Sequence, residues 1–355
     1  MIWLLVSLLS LAPQDRPADP IRDGWAALQR GDGERAAAAF RTALASAPAD
    51  PRALTGAGIA AHLLGHDDQA IDFLKRSIKA DPRFVQASYA LGPIAYAEGD
   101  LDLAIACYER VLKAAPDNAG VAEQLDRWRK ELAVHSTLTL QPTSRFDVLF
   151  EGETQQEIAT RVSEMLEAAY LRVGKALNAY APQTVTAILY TGEQFRDITR
   201  SPAWAAAAYD GRIRVPVRGA LKDPAELDRV LTHEFVHAVI HQLYRGIPKW
   251  LNEGVATYLE PGDHAWLVAR LRGRQMIPLA RLNNAFRTPD GADAAIAYAQ
   301  SYVGTRVLAE RLGGNFPVFL QYLSEGVALD EALLMFNLAP ADIEAEWARR
   351  AGAAR

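Results

Sequence analysis

Along the first third of the chain, apolar and small residues recur at the spacing of amphipathic helices, and the whole pattern then repeats at a fixed interval. Gly24, Gly58 and Gly92 are 34 residues apart, and so are Gly31, Gly65 and Gly99; Ala36, Ala70 and Ala104; Phe40, Leu74 and Tyr108; and Pro48, Pro82 and Pro116. Each role in a helical hairpin falls to a residue suited to it. The first set of glycines lets two helices approach closely, the second supplies the turn between them, and each proline stops the second helix before the next hairpin begins. This predicts hairpins over residues 17–50, 51–84 and 85–118, closed by an amphipathic capping helix in "AGVAEQLDRWRKELA".

The pattern changes at "HSTLTLQPTS". Residues 17–134 make one helical domain, 135–144 a linker, and 145–355 a second domain in which β-branched alternation appears. "RFDVLFEG" and "TVTAILY" read as strands, with "TQQEIATRVSEMLEAAYLRVGKALNAY" as a long amphipathic helix between them. "AAAAYDGRIRVPV" reads as two strands meeting at Tyr209-Asp210-Gly211, because Asp-Gly favours a hairpin turn. "DPAELDRVLTHEFVHAVIHQLY" is a helix opening at Asp223-Pro224 with acidic residues in its first turn.

The 34-residue interval is that of the tetratricopeptide repeat, and the first domain resembles that family. The resemblance implies a superhelix whose concave groove takes a peptide segment or a partner protein, with a rigid spacer as the alternative. The repeat also accounts for "GAGIAAH", which lacks the third glycine and preceding strand of a dinucleotide-binding loop.

Composition narrows the chemistry. The chain of 355 residues is half apolar with a net charge of -5, which fits two globular domains and gives no electrostatic reason to expect nucleic acid or an anionic membrane. Its single cysteine, Cys107, excludes an intramolecular disulfide and a thiolate zinc site, and its place in a helical repeat marks it as packing. Residues 1–16 hold an apolar run, Ile2 to Ala12, of signal-peptide length and too short to span a bilayer. No Lys or Arg precedes it. We expect export to the periplasm or outside the cell, with no membrane span after cleavage; the alternative is an uncleaved hydrophobic segment that packs on the first repeat or associates with a membrane.

The chemistry concentrates in "LTHEFVHAVIHQ". His233 and His237 lie one helical turn apart, so both imidazoles can reach one ion, and Glu234 is rotated aside where it can hold a water without ligating. His241 lies two turns beyond His233, about 12 Å along the axis at 1.5 Å per residue, too far for the same ion. A better third ligand is Glu253 in "IPKWLNEGVATYLE", where a turn and a second helix would bring a carboxylate to the open side of the histidine pair.

"WLNEGVATYLE" closely resembles the matching segment of the aminopeptidase N and leukotriene hydrolase branch of the gluzincins, and the second domain resembles the bacterial peptidase MA-like family. The resemblance implies an α+β, thermolysin-like zinc metallopeptidase domain. It implies His233, His237 and Glu253 as zinc ligands, Glu234 as general base, and Tyr298, with Tyr302 second, as the residue that hydrogen-bonds the oxyanion. Glu260 matches an acidic position that would orient a ligating histidine. The GxMEN motif that anchors a substrate amine is absent, so endopeptidase or narrow processing activity stands beside aminopeptidase activity. The function implied is a zinc-dependent metallopeptidase acting on peptide or protein substrates recruited through the repeats. Two readings compete with it: a protein-interaction module with an idle or structural metal domain, and hydrolysis of a non-peptide bond by the same water.

Overall fold

A computed structural model describes residues 19–199, 208–216, 223–286 and 291–352. The apolar N-terminal run lies outside the described residues, as does the part of the expected hairpin before Ala208. Among the described residues, no helix is long and apolar enough to cross a membrane. The chain forms two compact units, residues 1–91 and 92–355.

The first unit is built from helical hairpins: α1 (Pro20–Gln29) with α2 (Gly33–Ser46), and α3 (Pro51–Leu63) with α4 (Asp67–Ala80). Asp19, Asp32 and Asp50 cap α1, α2 and α3 by accepting hydrogen bonds from first-turn amides that have no partner inside the helix. Gly31 and Gly65 turn the chain at φ of 74° and 77°, a left-handed conformation that side chains resist. Close approach explains the other glycine set: a Cβ at Gly24 would stand 2.7 Å from the buried Phe40 ring. Phe40 is the centre of this unit's core, with Ala27, Ala36, Ala53 and Ala60 around it.

The same hairpin recurs as α5 (Val85–Ala97) and α6 (Leu101–Ala114), followed by the capping helix α7 (Ala119–His135). In the second unit Tyr108 and Trp128 pack ring on ring, 4.6 Å apart, and Tyr96 stacks on Trp128 at 5.2 Å. The chain then enters a five-stranded sheet. Its strands are β1 (Thr139–Pro142), β2 (Phe146–Phe150), β3 (Val185–Tyr190), β4 (Ala208–Tyr209) and β5 (Ile213–Pro216), in the order β1-β2-β3-β5-β4. β2, β3 and β5 are parallel, and β1 and β4 flank them antiparallel. Residues 139–142, expected to be linker, are thus the edge strand β1. Their sequence hides this because the strand is mostly exposed and shows no alternation of burial.

Helix α8 (Gln156–Leu177) joins β2 to β3, and α9 (Gly192–Thr199), which the sequence pattern did not single out, follows β3. α8 and α10 (Pro224–Leu243) pack against each other and share a core with the sheet: Phe146, Val162, Leu166, Leu231 and Phe235 are all buried. α10 packs on α11 (Lys249–Leu259), and α11 on α14 (Gly291–Leu312). Between them come α12 (Ala265–Leu271) and α13 (Leu279–Ala285), and the fold closes with α15 (Phe316–Ser324), α16 (Leu329–Met335) and α17 (Pro340–Ala351).

A buried ionic cluster ties α7 to the sheet. Arg214 on β5 is fully buried and donates to Asp210 at 2.8 Å, Tyr190 at 2.7 Å and Tyr96 at 2.5 Å, and its Nη2 lies 2.8 Å from Glu131 of α7. Tyr96 donates to the other oxygen of Glu131 at 2.7 Å. The Tyr190 hydroxyl and His135 Nε2 share a 2.8 Å hydrogen bond. Tyr190 accepts from Arg214 and keeps its own proton to offer the imidazole nitrogen, an arrangement that suits a neutral His135. Burial, together with Arg212 and Arg214, lowers His135 to about 3.

Candidate metal centre

The centre sits where α10 and α11 meet. α10 starts at a Pro at its first position behind the Asp223 cap, and its apolar positions Leu227, Val230, Leu231, Phe235, Val239 and Ile240 are buried. Packing those positions inward fixes which way the remaining face, His233 and His237, must look. The turn at Gly246, with φ of 93°, brings the chain back so that α11 runs against α10. Within α11, Gly254 lies against α14: a Cβ there would stand 2.6 Å from the Ser301 carbonyl oxygen. The helix carrying Glu253 therefore seats deeply.

The result is a triangle of donor atoms. His233 Nε2 and His237 Nε2 are 3.1 Å apart, and Glu253 Oε2 lies 3.7 Å from the first and 3.6 Å from the second. Two ligands on a tetrahedral zinc are about 3.3 Å apart, given bonds of about 2.0–2.1 Å. The observed triangle has a circumradius of about 2.0 Å, so one point just off its plane satisfies all three bonds with no movement of the side chains. Nitrogen and carboxylate donors on three corners suit a zinc ion, whose fourth tetrahedral position these residues do not fill. The three residues fit the group.

Supporting partners fix both rings. Glu260 Oε1 accepts from His233 Nδ1 at 2.6 Å, and its other oxygen accepts from Arg229 at 2.7 Å and lies 3.3 Å from His264 Nε2. Asn252 Oδ1 accepts from His237 Nδ1 at 2.7 Å. With Nδ1 protonated in each ring, Nε2 is left to face the triangle. Asn252 and Arg229 were not assigned from the sequence. Asn252 directly precedes Glu253 and Arg229 lies one turn before His233, but neither position names a partner until α11 folds back beside α10.

Electrostatics point the same way. Burial opposes charge on His233, but the Glu253 and Glu260 carboxylates outweigh it and raise the imidazole to about 10. Burial would push Glu253 up, yet the two histidines hold it far below the usual carboxylate range. Glu260 is held at about 2, against its burial, by His233 and His264. The cluster thus stabilises positive charge at one spot, and a divalent cation answers the same demand. Glu234 is buried, and that burial raises its carboxyl.

The remaining candidates separate. Burial, with the Glu253 carboxylate beside it, raises the Tyr298 phenol. Tyr302 is buried with its ring 5.0 Å from that of His264, on the far side of Glu260. His241 is turned away from the triangle. Its ring packs edge-on at 6.0 Å from Tyr209 of β4, and Arg245 and Glu98 lie beside it.

Comparison with known families agrees with this architecture. A Peptidase MA superfamily model matches residues 202–350, and a tetratricopeptide repeat model matches residues 22–83 and 68–119. The chain carries tetratricopeptide repeats, which point to protein–protein interaction, followed by a Peptidase MA superfamily domain, a superfamily that is generally metal-dependent. No curated protein matches the chain.

Proposed function

We propose that the protein is a zinc-dependent peptidase in which His233, His237 and Glu253 hold the ion. The observation that carries this reading is the three-donor triangle with a buried, unligated carboxylate, Glu234, next to it in sequence. A structural zinc site uses four protein ligands and has no use for such a carboxylate. When bound, zinc supplies Lewis acidity toward a water and toward the scissile carbonyl. Glu234 takes the proton of the attacking water and delivers it to the departing amine; burial raises the affinity of its carboxyl for a proton, which suits the first half of that transfer. Tyr298 donates its hydroxyl proton in a hydrogen bond to the oxygen that becomes negative. Glu260 and Asn252 keep the two rings turned correctly while this happens.

β4 lies at the edge of the sheet and packs on α10, which supports an extended peptide pairing with that edge as substrate. The tetratricopeptide repeats recruit the substrate or a protein partner. The apolar run of residues 2–12 supports export.

The test combines zinc stoichiometry with cleavage of an unbiased peptide library. Wild type is expected to bind one zinc and cleave; Glu234→Gln to keep the zinc and lose cleavage by about 10²-fold or more; Glu253→Ala to lose the zinc; and His241→Ala to keep it. A wild type without zinc would sink the site. Zinc retained without cleavage that depends on Glu234 would instead favour an interaction protein with an idle metal domain.

A further inference from the structure

Lys249 opens α11 one helical turn before Glu253, so the two side chains share a face of the helix. Its ammonium lies over the Phe286 ring, 5.6 Å from the centroid. Phe286 in turn meets Tyr298 edge-on, with ring centroids 5.1 Å apart. Tyr298 lies beside the Glu253 carboxylate. Lys249, Phe286 and Tyr298 therefore make one continuous wall that ends at the metal ligands.

The cations around the centre are used differently from this one. Arg229 is paired with Glu226 and Glu260, Arg172 with Asp228, Arg245 with Glu98, and Arg306 with Glu310. Lys249 is exposed, and among the described residues it has an aromatic face beneath it and no carboxylate partner. A ring under the ammonium holds the long stem in one direction and leaves the donors facing solvent, which lowers the entropic cost of a later ion pair.

We infer that Lys249 is a specificity residue that receives a carboxylate of the substrate, and this rests on the peptidase reading above. The two ring contacts put the ammonium at most about 11 Å from the Tyr298 ring, or about three residues of extended peptide. The carboxylate is therefore either an acidic side chain within about three residues of the scissile bond or the free C-terminus of a short peptide. Both supply the same chemistry to Lys249. They differ in what the enzyme would cut, and the experiment separates them.

Matched peptides are compared, with Glu or Gln at each position flanking the cleaved bond and with C-termini as free acid or amide. Turnover is read with wild-type zinc enzyme. Binding is read by fluorescence anisotropy with zinc-loaded Glu234→Gln, so that selectivity is measured whether or not hydrolysis occurs. The acidic member of one pair should be preferred by about fivefold, the scale of a single exposed ion pair. In Lys249→Gln the ratio should fall to one, and Lys249→Arg should restore it. Preference for Glu over Gln identifies an acidic side chain, and preference for acid over amide the C-terminus. Equal binding of both members of every pair overturns the proposal, as does a preference that survives Lys249→Gln with zinc content unchanged. Acid-selective binding without any turnover leaves Lys249 in place and counts against the peptidase reading alone.

Discussion

Tyr298 and Tyr302 stand one turn apart on α14, and sequence alone ranks them without separating them. Their neighbours do: Tyr298 meets a metal-site carboxylate, while Tyr302 is packed on His264 with the Arg306 guanidinium 5.7 Å from its ring centroid. In the mechanism we propose, Tyr298→Phe removes one hydrogen bond to the developing oxyanion, so kcat is expected to fall by about 10²-fold with zinc content kept. Tyr302→Phe should change kcat by no more than a few fold, and steady-state kinetics on one peptide checks both. The convergence of His233, His237 and Glu253 was legible because two histidines four residues apart share one face of a helix, and a following helix can bring a carboxylate to that face. Asn252 was not, since an amide becomes a partner for His237 only when α11 folds back beside α10.

The helices of the repeats could be read almost residue by residue, because glycine, alanine and proline recur in register and each answers a local demand. Elsewhere several elements could not, among them β1, α9 and the short helices α12, α13, α15 and α16. β1 is a mostly exposed edge strand with no alternation to betray it, and α9, "GEQFRDIT", has only Phe195 and Ile198 to bury against its neighbours. Helix pairing is also where a small substitution tells most. Gly254→Ala would force a methyl group against the Ser301 carbonyl and the Thr305 hydroxyl, so α11 must move off α14 and carry Glu253 with it. We expect a loss of about 1–3 kcal/mol and weaker zinc retention together. Urea unfolding followed by zinc titration checks this; an unchanged zinc affinity would mean that α11 adjusts without moving its carboxylate.

At the scale of the molecule, the ionic cluster around Arg214 makes stability depend on pH. His135 is held at about 3 in the fold, against an ordinary value of 6.5. Between those values the unfolded chain binds a proton that the folded one refuses. Stability from this group is therefore complete above pH 6.5 and declines as the pH falls toward 3, by up to about 1.4 kcal/mol per pH unit. Urea midpoints at pH 7 and pH 5 should differ more in wild type than in His135→Gln. An equal difference in both proteins would remove His135 from the account.

The same cluster has a consequence for recombination between genes. Strand β5, with Arg214, falls inside the stretch matched by the peptidase family, residues 202–350, whereas Glu131, Tyr96 and Tyr190, which satisfy that guanidinium, lie upstream of it. A crossover placed at the family boundary would leave this fully buried cation with Asp210 but take away Glu131, its other carboxylate, at a cost below the about 3–5 kcal/mol of a buried charge left with no partner. The third helical hairpin, α7 and β3 therefore have to be inherited together with β5 if Arg214 is to keep all its partners.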